Sequence, residues 1–219
     1  MKPAGAVRRR AGGKTDRTLI YIPIIHTQAD MGKLARSVRR VTVQKLGRRA
    51  WKRNVDVIER MWADIRRAVE GWELSWEKVR LYQDGLPRCG REAEIVTELA
   101  GAGSPNHQLL FFLMKRGATL MGTESPDLLL EEHRLVQQIL AAKDPEEAAR
   151  IEARHEARSR SLLARRDQYI AGRINESLRA GETGLLFLGM LHSLDSRLAK
   201  DIRVTYPIRR PPRLMAQTK

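Results

Sequence analysis

The chain has 219 residues, 42% of them hydrophobic, and a formal net charge of +15. That length suits one domain with short appendages, and the apolar share excludes general disorder. A single cysteine, Cys89, excludes an internal disulfide and fits a reducing, cytoplasmic setting; no apolar run is long enough to span a bilayer.

Residues 1–17 are rich in Gly, Ala and Arg, read as a mobile basic tail, and lack the apolar stretch of a secretory signal. Leu19 to His26 is the first predicted strand. Pro23 inside it predicts an edge strand or a bulge, because proline cannot donate to a sheet ladder. Residues 30–50 read as a loosely amphipathic basic helix. Residues 54–70 read as a better one, with Val55, Ile58, Met61, Trp62, Ile65 and Val69 at helical spacing. Val79 to Tyr82 is the second strand, followed by the loop from Gln83 to Pro87.

Glu92 to Ala100 reads as a helix closed by Gly101 and Gly103. Ser104-Pro105 opens the next, to about Lys115, with serine as cap and proline in the first turn. Ala118 to Met121 is the third strand. Ser125-Pro126-Asp127 starts a helix to about Ala142. Asp144-Pro145-Glu146-Glu147 starts another that meets no breaker before Gly172 and ends at Gly181, about 35 residues or roughly 50 Å. Its stretch 145–160 is expected to project beyond the sheet as a lid or an oligomer contact. Gly184 to His192 follows, the most apolar run in the chain and the mark of a strand buried on both faces. A short helix around 193–200, a last strand from Ile202 to Ile208 and a loose basic tail over 209–219 complete the chain.

This alternation predicts a single α/β domain over 18–208: a mostly parallel sheet of about five strands, helices on both faces and one long projecting helix. In such sheets chemistry collects beyond the carboxyl ends of the strands. Four strand-like runs end in polar groups there: His26 with Gln28 and Asp30, then Asp84, Glu124 and His192. Two imidazoles and two carboxylates make either a divalent-metal site or a general base with orienting partners. Arg166 leads the row Ile170, Ile174 and Leu178, and so points inward. Counting about 22 Å of helix back from Gly181, and about 26 Å of strand forward from Gly184, sets Arg166 level with His192. There it would clamp an anionic part of the substrate, with Gln28 and Asp30 as further substrate contacts.

Gly189-Met190-Leu191-His192, preceded by the helix segment Arg166-Asp167-Gln168-Tyr169-Ile170-Ala171, resembles the C-terminal half of the superfamily of erythromycin esterases, TraB/Tiki-type metalloproteases and ChaN-type haem-binding proteins. The resemblance covers 19–30 and 160–208. It implies His26 and His192 as the paired histidines, Arg166 as the helix arginine, and Asp84 or Glu124 as the acid. The first motif reads Pro23-Ile24-Ile25-His26, without the family's glycine, and Asp84 stands where a glutamate is usual.

The expected function is an esterase- or peptidase-like hydrolase acting on a small molecule or peptide. His26, His192, Asp84 and Glu124 would be its catalytic groups, with His26, His192 and Glu124 as ligands if a divalent transition metal is bound. One alternative is a basic nucleic-acid-binding or regulatory module without chemistry, using the tails and the basic stretch between Lys33 and Arg53. Another is haem, or a different small ligand, held by the two histidines.

Overall fold

The computed structural model describes residues 16–208. The basic tails expected over 1–17 and 209–219 lie outside the described residues, except Asp16 and Arg17. Arg17 opens the first strand, bonded to Asp201 at 2.6 Å and to the carbonyls of Asn175 and Leu178.

Five strands, β1 (Arg17–Ile24), β2 (Val79–Gln83), β3 (Thr119–Met121), β4 (Thr183–Gly189) and β5 (Ile202–Thr205), form one sheet in the order β3-β2-β4-β1-β5. Every pairing is parallel. The fold is the α/β architecture expected, with its most apolar strand at the centre. Gly184 to Leu188 are all buried, and each large side chain buried there is worth about 1.5–3 kcal/mol. Gly184 serves packing: a Cβ there would come within 2.7 Å of Leu19 Cδ1.

The expectation for Pro23 needs correcting. β1 is an interior strand, between β4 and β5. Thr18 donates its amide to the carbonyl of Glu182, ahead of β4, so even positions face β4 and odd positions face β5. β5 pairs only as far as Ile20. The nitrogen of Pro23 therefore faces a side where no strand needs its hydrogen. β5 stops at Thr205 rather than Ile208 because Pro207 again supplies no donor.

Six helices follow from the same patterns: α1 (Ala35–Leu46), α2 (Arg48–Glu70), α3 (Glu92–Gly101), α4 (Pro105–Lys115), α5 (Pro126–Leu140) and α6 (Pro145–Ser177). Trp62, Ile65 and Val69 of α2, Val96 of α3 and Leu109, Leu110 and Leu113 of α4 pack on one face of the sheet against Ile20, Ile22, Leu185 and Phe187. Ile170, Ile174 and Leu178 cover the other face, against Leu19, Tyr82, Leu186 and Leu188. The helix break foreseen near residues 51–53 lies at Gly47, whose φ of 78° suits glycine. A 3-10 helix, Ala29–Leu34, precedes α1, and the short helix near 193–200 is a single 3-10 turn, Asp195–Arg197.

Both caps read from sequence at Ser104 and Asp144 form. Ser104 accepts from the His107 amide, and Asp144 accepts from the Glu147 amide at 2.8 Å. α6 is a single helix of 33 residues, and it does not stand alone. Its first half pairs with α5, burying Ala148, and Glu131 of α5 bonds Arg158 and Arg165. α1 leans on this hairpin through Arg40 to the Leu140 carbonyl and Lys45 to Glu152. No helix among the described residues is long and apolar enough to cross a membrane.

Candidate functional site

Parallel strands with helices leaving to both faces open a crevice at their carboxyl edge. β2 leads to α3 on one face; its neighbour β4 leads to Leu194 on the other. Asp84 stands at the end of β2 in that crevice, and the other chemical side chains gather around it.

Asp84 Oδ2 accepts from the Gly189 amide at 2.9 Å and lies 3.2 Å from His26 Nε2. Asp84 Oδ1 accepts from Arg166 Nη2 at 2.9 Å and lies 3.6 Å from His192 Nε2. Arg166 also grips Glu124 with two nitrogens, Nε at 2.7 Å and Nη2 at 2.6 Å, and reaches Glu132 with Nη1 at 2.5 Å. Glu124, fully buried, accepts in addition from the Gly85 amide at 2.8 Å. His192 Nδ1 lies 2.6 Å from Asp167 Oδ1, and Asp167 Oδ2 accepts from the Ser193 amide.

The charges explain the proton positions. The side chains of Asp30, Asp84, Glu124 and Asp167 are all nine-tenths buried or more, and among the described residues Arg166 is the arginine paired with Asp84 and Glu124. Burial opposes ionisation of Asp84, but bonds from His192 and His26 outweigh it and hold its carboxyl well below the usual range. Burial likewise opposes charge on both histidines. The Asp84 bond outweighs it at each, with Asp167 adding to the effect at His192, and both are raised above the ordinary imidazole value. Glu124 is raised by burial, against the pull of Arg166.

An ionised Asp84 can only accept, so His26 donates from Nε2, while its Nδ1 lies 3.9 Å from Asp30 Oδ2. The His26 side chain is 30% exposed, whereas that of His192 is 4% exposed. Of the two histidines, His26 is the one that solvent reaches.

Thus four of the expected side chains, His26, Asp84, His192 and Arg166, meet around one carboxylate, and Glu124 joins through Arg166. Asp30 is turned inward instead: it accepts from the Thr27 amide at 2.6 Å and from Ser104, and lies 3.3 Å from His107 Nδ1. Its carboxyl is lowered because bonds from His107, Ser104 and Thr27 overcome burial. It anchors the Ala29–Leu34 turn beside His26. Gln28 precedes that turn and caps nothing with its side chain.

Arg166 has every nitrogen engaged. Its Nη1 edge, held by the half-exposed Glu132, is the edge a substrate anion would contest.

Asp167, Glu132 and His107 were not singled out from sequence as site residues, and Ser104 was read only as a helix cap. Asp167 carried a signal, since it lies three residues before Ile170 and extends the buried stripe of α6.

A divalent ion fits the set Asp84, Glu124 and His192, whose ligand atoms lie within 4.8 Å of one another, provided that Arg166 yields part of its hold. The Nε2 atoms of His26 and His192 both lie near Asp84 rather than facing each other alone. No protein-family profile matches the chain, and no curated protein or solved structure matches it. The functional reading accordingly rests on this geometry.

Proposed function

We propose that the protein is a hydrolase of esters or amides, with His26 as general base at the carboxyl edge of the sheet. The observation that carries this reading is the His26–Asp84 pair: a partly exposed imidazole, oriented by a buried ionised carboxylate through Nε2, with Nδ1 3.9 Å from the Asp30 carboxylate and in reach of solvent. In the reaction, His26 Nδ1 would take a proton from water as the water oxygen attacks the substrate carbonyl. The same proton would then pass to the leaving alcohol or amine. His192, between Asp84 and Asp167, is the charged partner that steadies the negative charge developing nearby. Arg166 acts through Asp84 and Glu124, fixing both carboxylates, and accepts a substrate carboxylate or phosphate only at its Glu132 edge.

The network itself supports a functional reading. Buried ions are a poor means of stabilising a fold, because desolvation offsets most of their attraction. Here side chains from the ends of β1, β2 and β4, with α6, converge on one such network.

The test is turnover of nitrophenyl esters and of chromogenic peptides by wild type, His26→Ala and Asp84→Asn. General-base removal should lower turnover by about 100-fold or more while the circular dichroism stays unchanged. A folded wild type that turns over neither class, or a His26→Ala variant as active as wild type, removes the proposal. The raised imidazole fixes the sign of the pH dependence. Neutral His26 forms above its raised value, so activity should climb with pH through a midpoint above 6.5.

A metal-centred hydrolase is the second reading, favoured by the convergence of Asp84, Glu124 and His192. An ion held there would supply a polarised water. Elemental analysis of wild type beside His192→Ala decides between the two: a near-stoichiometric metal lost in the variant favours the metal centre.

A further inference from the structure

α1 and α2 meet at Gly47 and enclose a groove of about 790 Å³, lined by none of the candidate site residues. Arg36, Arg39 and Arg40 line it from α1; Arg48, Trp51 and Lys52 line it from α2. Paired helices ordinarily face each other with apolar stripes. These two present five cations and no carboxylate.

The arrangement opposes itself without an anion. Arg36 and Arg40, and again Arg48 and Lys52, are like charges one turn apart, the spacing at which they repel. Elsewhere surface arginines sit on acids: Arg66 on Glu70, Arg67 on Asp64, Arg91 on Glu94, and Arg158 and Arg165 on Glu131. Among the described residues no carboxylate pairs with Arg36, Arg39, Arg48 or Lys52, and Arg40 reaches only a carbonyl. α1 has no fully buried side chain: Val38, Val41 and Leu46 are half-buried, and Arg36, Arg39 and Arg40 are exposed, so packing does not explain the arginines.

Trp51 supplies the second element. The guanidinium of Arg39 lies 4.7 Å above its ring, a stacked pair inside the cationic groove. Cations that track a phosphate chain, beside an aromatic–arginine platform for a base, are the recognition chemistry of single strands.

We propose that the α1–α2 groove binds single-stranded nucleic acid, its phosphates on the arginines and Lys52 and a base stacked on the Arg39–Trp51 pair. A lipid surface fits less well, since Trp51 and Val43 are the apolar residues offered. The inference is independent of the hydrolase reading.

The test is fluorescence anisotropy of a labelled oligothymidylate of about 15 nucleotides with the full-length protein over a salt series. Affinity should fall steeply as salt rises. The triple variant Arg36→Ser/Arg39→Ser/Lys52→Ser should bind at least about ten-fold more weakly, with a log–log salt slope shallower by about 2, at 0.7 per lost phosphate contact. Because Arg36, Arg39 and Lys52 are all exposed, this variant should keep the wild-type circular dichroism. Tryptophan quenching on binding should vanish in Trp51→Phe, as the other tryptophans, Trp62, Trp72 and Trp76, are buried. A full-length variant with Arg8, Arg9 and Arg10 changed to serine should bind as wild type does. The proposal is overturned by equal binding of the triple variant, by loss of binding in the N-terminal variant, or by binding to anionic vesicles but not to the oligonucleotide.

Discussion

Asp84 is the side chain on which the site turns: His192 and His26 hold its charge, and Arg166 ties it to Glu124. Remove the guanidinium and two buried carboxylates, Asp84 and Glu124, lose their cation together. Stripping one partner from a buried pair costs about 3–5 kcal/mol, because the orphaned charge remains desolvated. Arg166→Met should therefore lose that much stability in urea unfolding, and a loss below about 1 kcal/mol would mean the network is wetter than its burial implies. Asp30 gives the matching pH prediction. Its folded value lies below 3.8, so its contribution is fully present above 3.8 and is lost as pH falls through the lower, folded value. The stability gap between wild type and Asp30→Asn should thus be widest near neutral pH and should close in strong acid; a gap that widens in acid would contradict the assignment. Much of this chemistry was legible in the chain. His26, Asp84, Glu124 and His192 were visible as polar ends of apolar runs, and Arg166 as the head of an inward row. The Asp30–Ser104–His107 cluster was not, because Ser104 reads fully as a helix cap and nothing local reveals that an acid far back in the chain reaches it.

At the scale of elements, the end of β4 shows why the strand closes on Gly189, three residues before His192. A Cβ on Gly189 would stand 2.8 Å from Asp84 Oδ2, inside the distance at which the Gly189 amide now donates to that oxygen. Asp84 cannot swing aside without leaving Arg166 and His26. Gly189→Ala should cost about 1–3 kcal/mol by overpacking and lower turnover with it. Gly172 is the control within the neighbouring element: it is helical, and a Cβ there meets nothing within 4 Å. Gly172→Ala in α6 should raise stability by about 0.5–1 kcal/mol. If both alanines destabilise alike, the close approach of Asp84 to β4 is not what selects glycine at position 189. Helix starts were readable where a capping side chain stood before proline, as at Ser104 and Asp144. The break between α1 and α2 was misplaced by several residues because the basic pattern continues across Gly47, and only the backbone turn there separates the two helices.

For the whole molecule, strand order is what composition and periodicity could not supply. Parallel pairing followed from alternation, but the insertion of β4 between β1 and β2 is a tertiary fact: no local pattern says which two strands cover a run that is apolar on both faces. That insertion brings His192 beside Asp84, and so creates the site. It also predicts a gradient of rigidity. β4 is bonded on both edges and roofed on both faces, so its amides exchange with solvent only when the domain opens globally. α1 has no fully buried side chain and is held to the α5–α6 hairpin by Arg40 and Lys45. Surface contacts of that kind are worth about 1 kcal/mol or less, so α1 should open locally far more often than the sheet. Hydrogen exchange followed by mass spectrometry should show peptides from residues 35–46 exchanging first among the helices, residues 166–177 of α6 late, and residues 184–189 last. Protection of α1 equal to that of α6 would show it to be a fixed wall of the molecule. Early exchange would leave the cationic groove an adjustable wall, able to close on a bound strand while the central sheet stays rigid.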